Sequence, residues 1–167
     1  KFQSQLDLTA FEFFSNNALT RVVDMHKLPK PFEDPSSYYA LLEFEAINDE
    51  ITDTAMQAFE ACMEEGWVED GVISQSEAQL QSLWNLREFI SETISHETPY
   101  KNDLSVVSSK VPEFLARVDA FVNENYPNFE IVWFGHIGDG NLHLNILKPK
   151  DLTEEDFFAK CHQVSEK

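Results

Sequence analysis

Near its C-terminus the chain reads FGHIGDGNLHLN over residues 134–145. Asp139-Gly140 is a strong signal for a two-residue hairpin turn, because a type I′ turn requires positive φ at both central residues. With that pair at the tip, His136 lies directly opposite His143. Opposed residues on one sheet face have Cβ atoms roughly 5 Å apart. The stretch therefore predicts a β-hairpin that brings two imidazoles together.

The predicted hairpin has two unlike faces, because successive side chains of a strand point to opposite sides. One face carries Phe134, His136, His143, Asn145 and Leu147, and the other carries Trp133, Ile137, Leu142, Leu144 and Ile146. The first face can present a pair of histidines to a shared divalent metal ion. A glycine-rich hairpin that carries two histidines and binds no metal fits the same pattern, since two ligands do not close a metal site.

Composition indicates one ordinary globular domain with a strongly acidic surface. The chain has 167 residues, 43% of them hydrophobic, and a formal net charge of −18. Such a charge repels phosphate groups, so nucleic acid and anionic membrane are not expected partners. No Lys or Arg occurs between Lys30 and Arg87, and the stretch 43–70 is dense in carboxylates. That stretch is either a solvated helix face or an acidic docking surface for a partner.

The first residue and the cysteines lead to expectations about the length of the parent protein and its cellular location. It begins at Lys1, without Met and without a signal-peptide pattern, so we expect a piece of a longer protein. No apolar run approaches the ~18 residues that a membrane span needs. Only Cys62 and Cys161 are present, far apart and in predicted helices. A disulfide framework is not expected, and a reducing, cytoplasmic location is predicted.

Periodicity predicts an α+β fold. Half-amphipathic strands alternate with helices, which favours an antiparallel sheet with the helices packed on one face. A β-α-β-like echo between the two halves suggests a ferredoxin-like unit that is repeated. The predicted strands are 8–14, 38–46, 68–74, 103–107, 129–135 and 141–147, and the predicted helices are 15–25, 49–65, 75–95, 111–125 and 153–166.

Two cations are candidates for binding an anionic ligand. Arg87 and Ser91 share one helix face at i, i+4 spacing, which suits a clamp for a carboxylate through bidentate hydrogen bonds. Lys101 supplies a second cation beyond a proline break. Alternatively, Arg87 pairs with a surface acid such as Glu88 or Glu92.

Four segments together resemble the C-terminal domain of FAD-linked oxidases, the family that includes D-lactate dehydrogenase, the glycolate oxidase flavoprotein subunit and D-2-hydroxyglutarate dehydrogenase. The most specific is FGHIGDGNLH at 134–143, and the resemblance covers most of the chain. The other segments are KNDLS at 101–105, WNLRE at 84–88 and LTAFEFF at 8–14.

The resemblance implies a cap and substrate domain of a flavoenzyme that oxidises a small D-2-hydroxy acid to a 2-oxo acid. His136 and His143 match residues that bind a divalent metal, commonly zinc. Arg87 and Lys101 match residues that bind the substrate carboxylate, Asn145 matches one that lines the same pocket, and Ser91 matches a threonine that touches substrate in some relatives.

The resemblance also implies partners and parts that lie outside this sequence. FAD would be held mainly by an N-terminal domain, and the cofactor contacts within this chain are unknown. The family's Glu-His element, with the third metal ligand and the general base, is expected beyond Lys167, so the domain is expected to be incomplete and inactive by itself. The resemblance leaves three candidates for the electron acceptor: an electron-transfer flavoprotein, a quinone or a cytochrome. It also leaves open whether the protein is a homodimer and whether it lies at the periphery of the inner membrane.

Two rival hypotheses belong to other functional classes. One is a non-catalytic ferredoxin-like module that binds a partner through its acidic surface. The other is a stand-alone metal-binding domain.

Overall fold

The computed structural model describes residues 6–166, and it has an α+β fold built on one antiparallel sheet. The sheet has five strands in the order β2-β1-β4-β5-β3. The strands are β1 (Leu8–Ser15), β2 (Tyr38–Phe44), β3 (Tyr100–Ser105), β4 (Glu130–His136) and β5 (Asn141–Leu147). The helices are α1 (Asn16–His26), α2 (Asp49–Glu64), α3 (Glu77–Glu88), α4 (Ile90–Ser95), α5 (Val111–Asn125) and α6 (Glu154–Ser165).

The predicted fold class is confirmed, but the helices cover both faces of the sheet rather than one. Helices α5 and α6 pack on the face that carries Trp133 and Leu142. Helices α1, α3 and α4 pack on the opposite face, which carries Val132 and Phe134. Two layers form because β4 is apolar on both of its sides, so each side needs its own cover.

Part of the fold matches the predicted ferredoxin-like unit. The elements β3, α5, β4, β5 and α6 supply the first five members of a β-α-β-β-α-β arrangement. The preceding part contributes two strands, β1 and β2, which pair directly with each other. Residues 6–166 therefore do not contain two complete units.

The hairpin between β4 and β5 forms, but its predicted turn is wrong. His136 lies opposite Asn141, and His143 lies opposite Phe134, so four residues (137–140) connect the strands. A type I′ turn needs positive φ at both Asp139 and Gly140, and of these only Gly140 has it, at 76°. The register is shifted by two residues. Since side chains alternate with a period of two, both histidines stay on the predicted face.

Two further predictions are wrong in detail. Residues 68–74 form no strand. Within this stretch Gly71 approaches Phe59 of α2 so closely that a Cβ would be 2.3 Å from its ring. The predicted helix 75–95 is interrupted at Phe89, which separates α3 from α4.

Within residues 6–166 no helix has both the length and the apolar character needed to cross a membrane. Both Cys62 and Cys161 are buried as free thiols.

Candidate functional site

A cluster of polar side chains interrupts the apolar face that α1, α3 and α4 cover. The cluster consists of Glu12 on β1, Arg87 on α3, Asp103 on β3, His136 on β4, and His143 and Asn145 on β5. The backbone register explains the grouping, because Glu12 pairs with His136 and Asp103 pairs with His143 across neighbouring strands. Directly opposed residues share a sheet face. This group is called the polar cluster below.

Glu12 joins two members of the polar cluster through its two carboxylate oxygens. Oε2 accepts a hydrogen bond from Nε of Arg87 at 2.9 Å and forms an ion pair with its Nη2, also at 2.9 Å. Oε1 lies 2.5 Å from Nδ1 of His136. A carboxylate can only accept, so Nδ1 of His136 carries a proton, and in the neutral imidazole Nε2 then carries the free lone pair. Glu12 is 5% exposed and Arg87 is 9% exposed, which makes this a buried ion pair.

Arg87 is held on several sides. Its guanidinium carbon lies 4.7 Å from the centre of the Phe134 ring, a cation–π arrangement. Burial lowers the pKa of the guanidinium, and the charge and hydrogen bonds of Glu12 oppose that shift. The alternative pairing with a surface acid is therefore not what the structure shows, because the hydrogen-bonded acid is the buried Glu12.

His143 has the same kind of anchor as His136, but in a different environment. Its Nδ1 lies 2.6 Å from Oδ1 of Asp103, whose side chain is 79% exposed, whereas the side chain of Glu12 is 6% exposed. The two imidazole rings meet edge to face with their centroids 5.6 Å apart. The two-residue change in register thus leaves the predicted meeting of His136 and His143 intact, with the rings as diagonal instead of direct neighbours.

The histidine pair fits part of a metal site. Metal-binding histidines almost always donate the other ring nitrogen to a carboxylate, a carbonyl or water, and both rings here have a carboxylate on Nδ1. Both Nε2 atoms are thereby left as possible ligands. Between residues 6 and 166 no group of three His, Cys, Asp or Glu side chains is placed to hold a metal. The described residues supply two ligands and no third.

The other predicted ligand-binding residues lie in contrasting positions. Asn145 is 2% exposed, and its Nδ2 donates to the carbonyl of His143 at 3.3 Å. Lys101 lies directly opposite Asn145 in the β3–β5 ladder and is exposed. Its side chain forms no hydrogen bond or ion pair with the described residues. Ser91 is exposed on α4, and no described contact links it to Arg87.

Sequence reasoning missed three members of this region. Glu12 is the one carboxylate within a strand rich in phenylalanine. A lone charge in such a strand is the sequence feature that could have marked it as a site residue. Asp103 lies within the segment KNDLS at 101–105, but the sequence assigned no role to it. Asn141 lies directly opposite His136, and its Oδ1 is buried with no hydrogen-bond partner in the described part of the chain.

Comparison with known proteins identifies the family. The model of the C-terminal domain of FAD linked oxidases matches residues 1–164. The chain belongs to this family. Its antiparallel sheet with packed helices agrees with the α+β fold that periodicity predicts.

Three similar relatives carry the name D-2-hydroxyglutarate dehydrogenase. A D-2-hydroxyglutarate dehydrogenase of Stutzerimonas stutzeri is 63% identical over 164 residues, which cover 98% of this chain and 35% of the relative. One of Xanthomonas citri pv. viticola is 52% identical over 98% of this chain and 34% of its own length. A mitochondrial D-2-hydroxyglutarate dehydrogenase of Arabidopsis thaliana is 33% identical over 83% of this chain and 25% of its own length. The chain spans about a third of the length of the curated relatives it matches.

Proposed function

We propose that this domain forms the substrate side of a flavin-dependent dehydrogenase that oxidises a D-2-hydroxy acid to a 2-oxo acid. The observation that carries the proposal is the polar cluster, in which two carboxylate-anchored imidazoles lie on the same sheet face as Arg87. The names of the relatives favour D-2-hydroxyglutarate as the substrate. FAD, held by another part of the protein, would supply the hydride acceptor.

The positive charges of the site suit a substrate with two carboxylates. Lys101 is the available cation, because it is exposed and has no partner within residues 6–166. Arg87 already binds Glu12 through Nε and Nη2, which leaves Nη1 without an acceptor among the described residues. We propose that Lys101 holds one substrate carboxylate and that Nη1 of Arg87 contributes to holding the other. Asn145 would line the same pocket, and Ser91 would contribute a hydroxyl at its rim.

We further propose that Nε2 of His136 and Nε2 of His143 hold a divalent metal, with zinc as the leading candidate. The carboxylates on the two Nδ1 atoms support this, since they fix the rings with Nε2 free. The ion would act as a Lewis acid and lower the pKa of the substrate hydroxyl. The third ligand and the general base would come from outside the described residues. The orphaned Oδ1 of Asn141 beside His136 offers an acceptor for a donor group brought by a ligand.

The test uses the complete gene product that contains this chain. D- and L-2-hydroxyglutarate and D- and L-lactate are offered with a dye as electron acceptor, before and after chelation and with zinc added back. We expect turnover of a D-2-hydroxy acid that is lost on chelation and restored by the metal. Turnover of none of these acids would refute the dehydrogenase proposal, and turnover that survives chelation would refute the metal.

Single substitutions then test the residues. We expect His136→Ala and His143→Ala each to abolish turnover while flavin stays bound. His96→Gln, a change at an exposed histidine at the end of α4, should keep full turnover and serves as the matched control. Lys101→Met should raise KM roughly 10- to 100-fold, because a hydrogen bond to a charged group is worth about 1.5–3 kcal/mol. Lys150→Met, at an exposed lysine outside the polar cluster, is its control.

A further inference from the structure

We infer that Glu12 is the positioning residue of this site, because its one carboxylate holds both the Arg87 guanidinium and the His136 ring in place. The hydrogen bonds are properties of the described side chains. Only the consequence for substrate and metal rests on the proposed function. Glu12 acts through other groups, so we assign it no contact with the reacting atoms.

The first step of the argument is geometric. Glu12 and His136 are directly opposed in the β1–β4 ladder, so their side chains leave the sheet on one face at the closest spacing that a ladder offers. Arg87 reaches the same carboxylate from α3. The Glu12 side chain is 6% exposed, whereas the His136 side chain is 49% exposed. A buried carboxylate thus holds a half-exposed imidazole ring.

The second step concerns energy. A buried ion pair is weak evidence for stability, because desolvation of both charges offsets their attraction, and an apolar pair of similar size is often equally stable. Stability alone therefore does not require Glu12. The pair does define positions, since the two oxygens are divided between two fixed donors. The His143–Asp103 pair provides the contrast, because Asp103 is exposed and water can replace it.

The third step is the choice of tautomer. In Glu12→Gln, only one oxygen remains to accept hydrogen bonds. That oxygen accepts from the charged guanidinium of Arg87, because in the other amide orientation the NH2 group would face the guanidinium, which is also a donor. The NH2 group then faces Nδ1 of His136 and donates to it, so the ring proton moves to Nε2. The free lone pair at Nε2, which the wild-type arrangement provides, is thereby lost.

The experiment uses the complete gene product, labelled with 15N-histidine and treated with a chelator so that no metal occupies Nε2, and it reads each ring tautomer by two-bond proton–nitrogen correlation. The His136 signal is assigned from its absence in His136→Gln. We expect His136 protonated at Nδ1 in the wild type and at Nε2 in Glu12→Gln. In the double variant Glu12→Gln/Arg87→Met, no guanidinium competes for the Gln oxygen, so we expect the Nδ1 proton to return.

Kinetics provide the second readout. Loss of a carboxylate behind a metal-binding histidine typically costs 10- to 100-fold in metal affinity or activity, and we expect a loss of that size in kcat for Glu12→Gln. A rise in KM should accompany it, because Arg87 keeps only a neutral amide oxygen in place of its charged carboxylate partner. Glu43→Gln is the matched control. Its carboxylate accepts from Thr9 and Trp84 and has no described bond to Arg87 or His136.

Two outcomes would overturn the inference. The first is a wild-type His136 that carries its proton on Nε2, a result that needs no variant to fold. The second is a folded Glu12→Gln protein whose His136 tautomer and kcat/KM match the wild type. The tautomer measurement needs no substrate, so a failure of the proposed dehydrogenase activity would leave this test intact and would be recognised separately.

Discussion

Replacement of Gly140 by alanine should destabilise the domain through the hairpin that carries the two histidines. Gly140 has φ of 76°, a left-handed conformation that costs a non-glycine residue about 1–2 kcal/mol. A Cβ at this position would lie 1.8 Å from the carbonyl oxygen of Val106, which is backbone and cannot rotate away. The 137–140 turn must therefore move away from the segment after β3.

That movement affects a hydrogen bond as well as the steric contact. The N–H of Val106 donates to the carbonyl of Gly140 at 2.9 Å, and its loss adds about 1 kcal/mol. We expect Gly140→Ala to lower the free energy of unfolding by about 3 kcal/mol in total. For a domain of this size that corresponds to a fall in Tm of about 6–12 °C.

Gly66 offers a matched control for the conformational part of this cost. Its φ is 71°, close to that of Gly140, but a Cβ there has nothing within 4 Å. Gly66→Ala should therefore cost only about 1 kcal/mol. Urea unfolding of the 167-residue chain, followed by tryptophan fluorescence, measures both variants on one scale. Equal destabilisation by the two substitutions would refute the close approach of the turn to Val106 as the reason for glycine at 140.

Three other predictions concern Cys161, Tyr38 and Phe157. Burial raises the pKa of Cys161 to about 12, so at pH 8.5 a thiol reagent should modify it far more slowly in the folded chain than in urea. Burial, followed by the charge of Asp119, raises the pKa of Tyr38 to about 12, against 10 for an ordinary tyrosine. The resulting stabilisation is intact below pH 10 and is lost as pH rises toward 12, so the urea midpoint should fall over that range and Tyr38→Phe should flatten the fall. Phe157→Ala, at a fully buried position, should cost about 3–5 kcal/mol in the same urea assay.

The elements that sequence reasoning placed well are those whose pattern is local and complete. The bounds of α5 and β5 agree with the predictions 111–125 and 141–147, because a clear apolar period ends at turn-forming residues in both. The stretch 68–74 failed because its apolar residues suggested a strand, whereas the sheet places β2 and β3 at its edges and no strand lies beyond them among residues 6–166. Local pattern does not reveal whether a partner strand exists.

The β4–β5 hairpin shows which predicted feature of the site stays correct when the predicted register is wrong. The Asp139-Gly140 signal identified the position of the turn but not its length, which depends on the contact of Gly140 with Val106. A shift of one residue would have separated His136 from His143 on opposite faces. The actual shift of two kept both on one face, so the alternation of side chains predicted the histidine pair even though the turn type was wrong.

Glu12 could not be assigned in advance for a different physical reason. It lies 75 residues from Arg87 and 124 residues from His136 along the chain, and no local period links positions so far apart. Its partners follow from strand order, because β1 becomes the neighbour of β4 and α3 crosses the same face. Only a folded sheet brings together one buried carboxylate, a guanidinium and an imidazole. The two ligand-binding roles that sequence motifs assigned separately to Arg87 and His136 therefore depend on one side chain that neither motif contains.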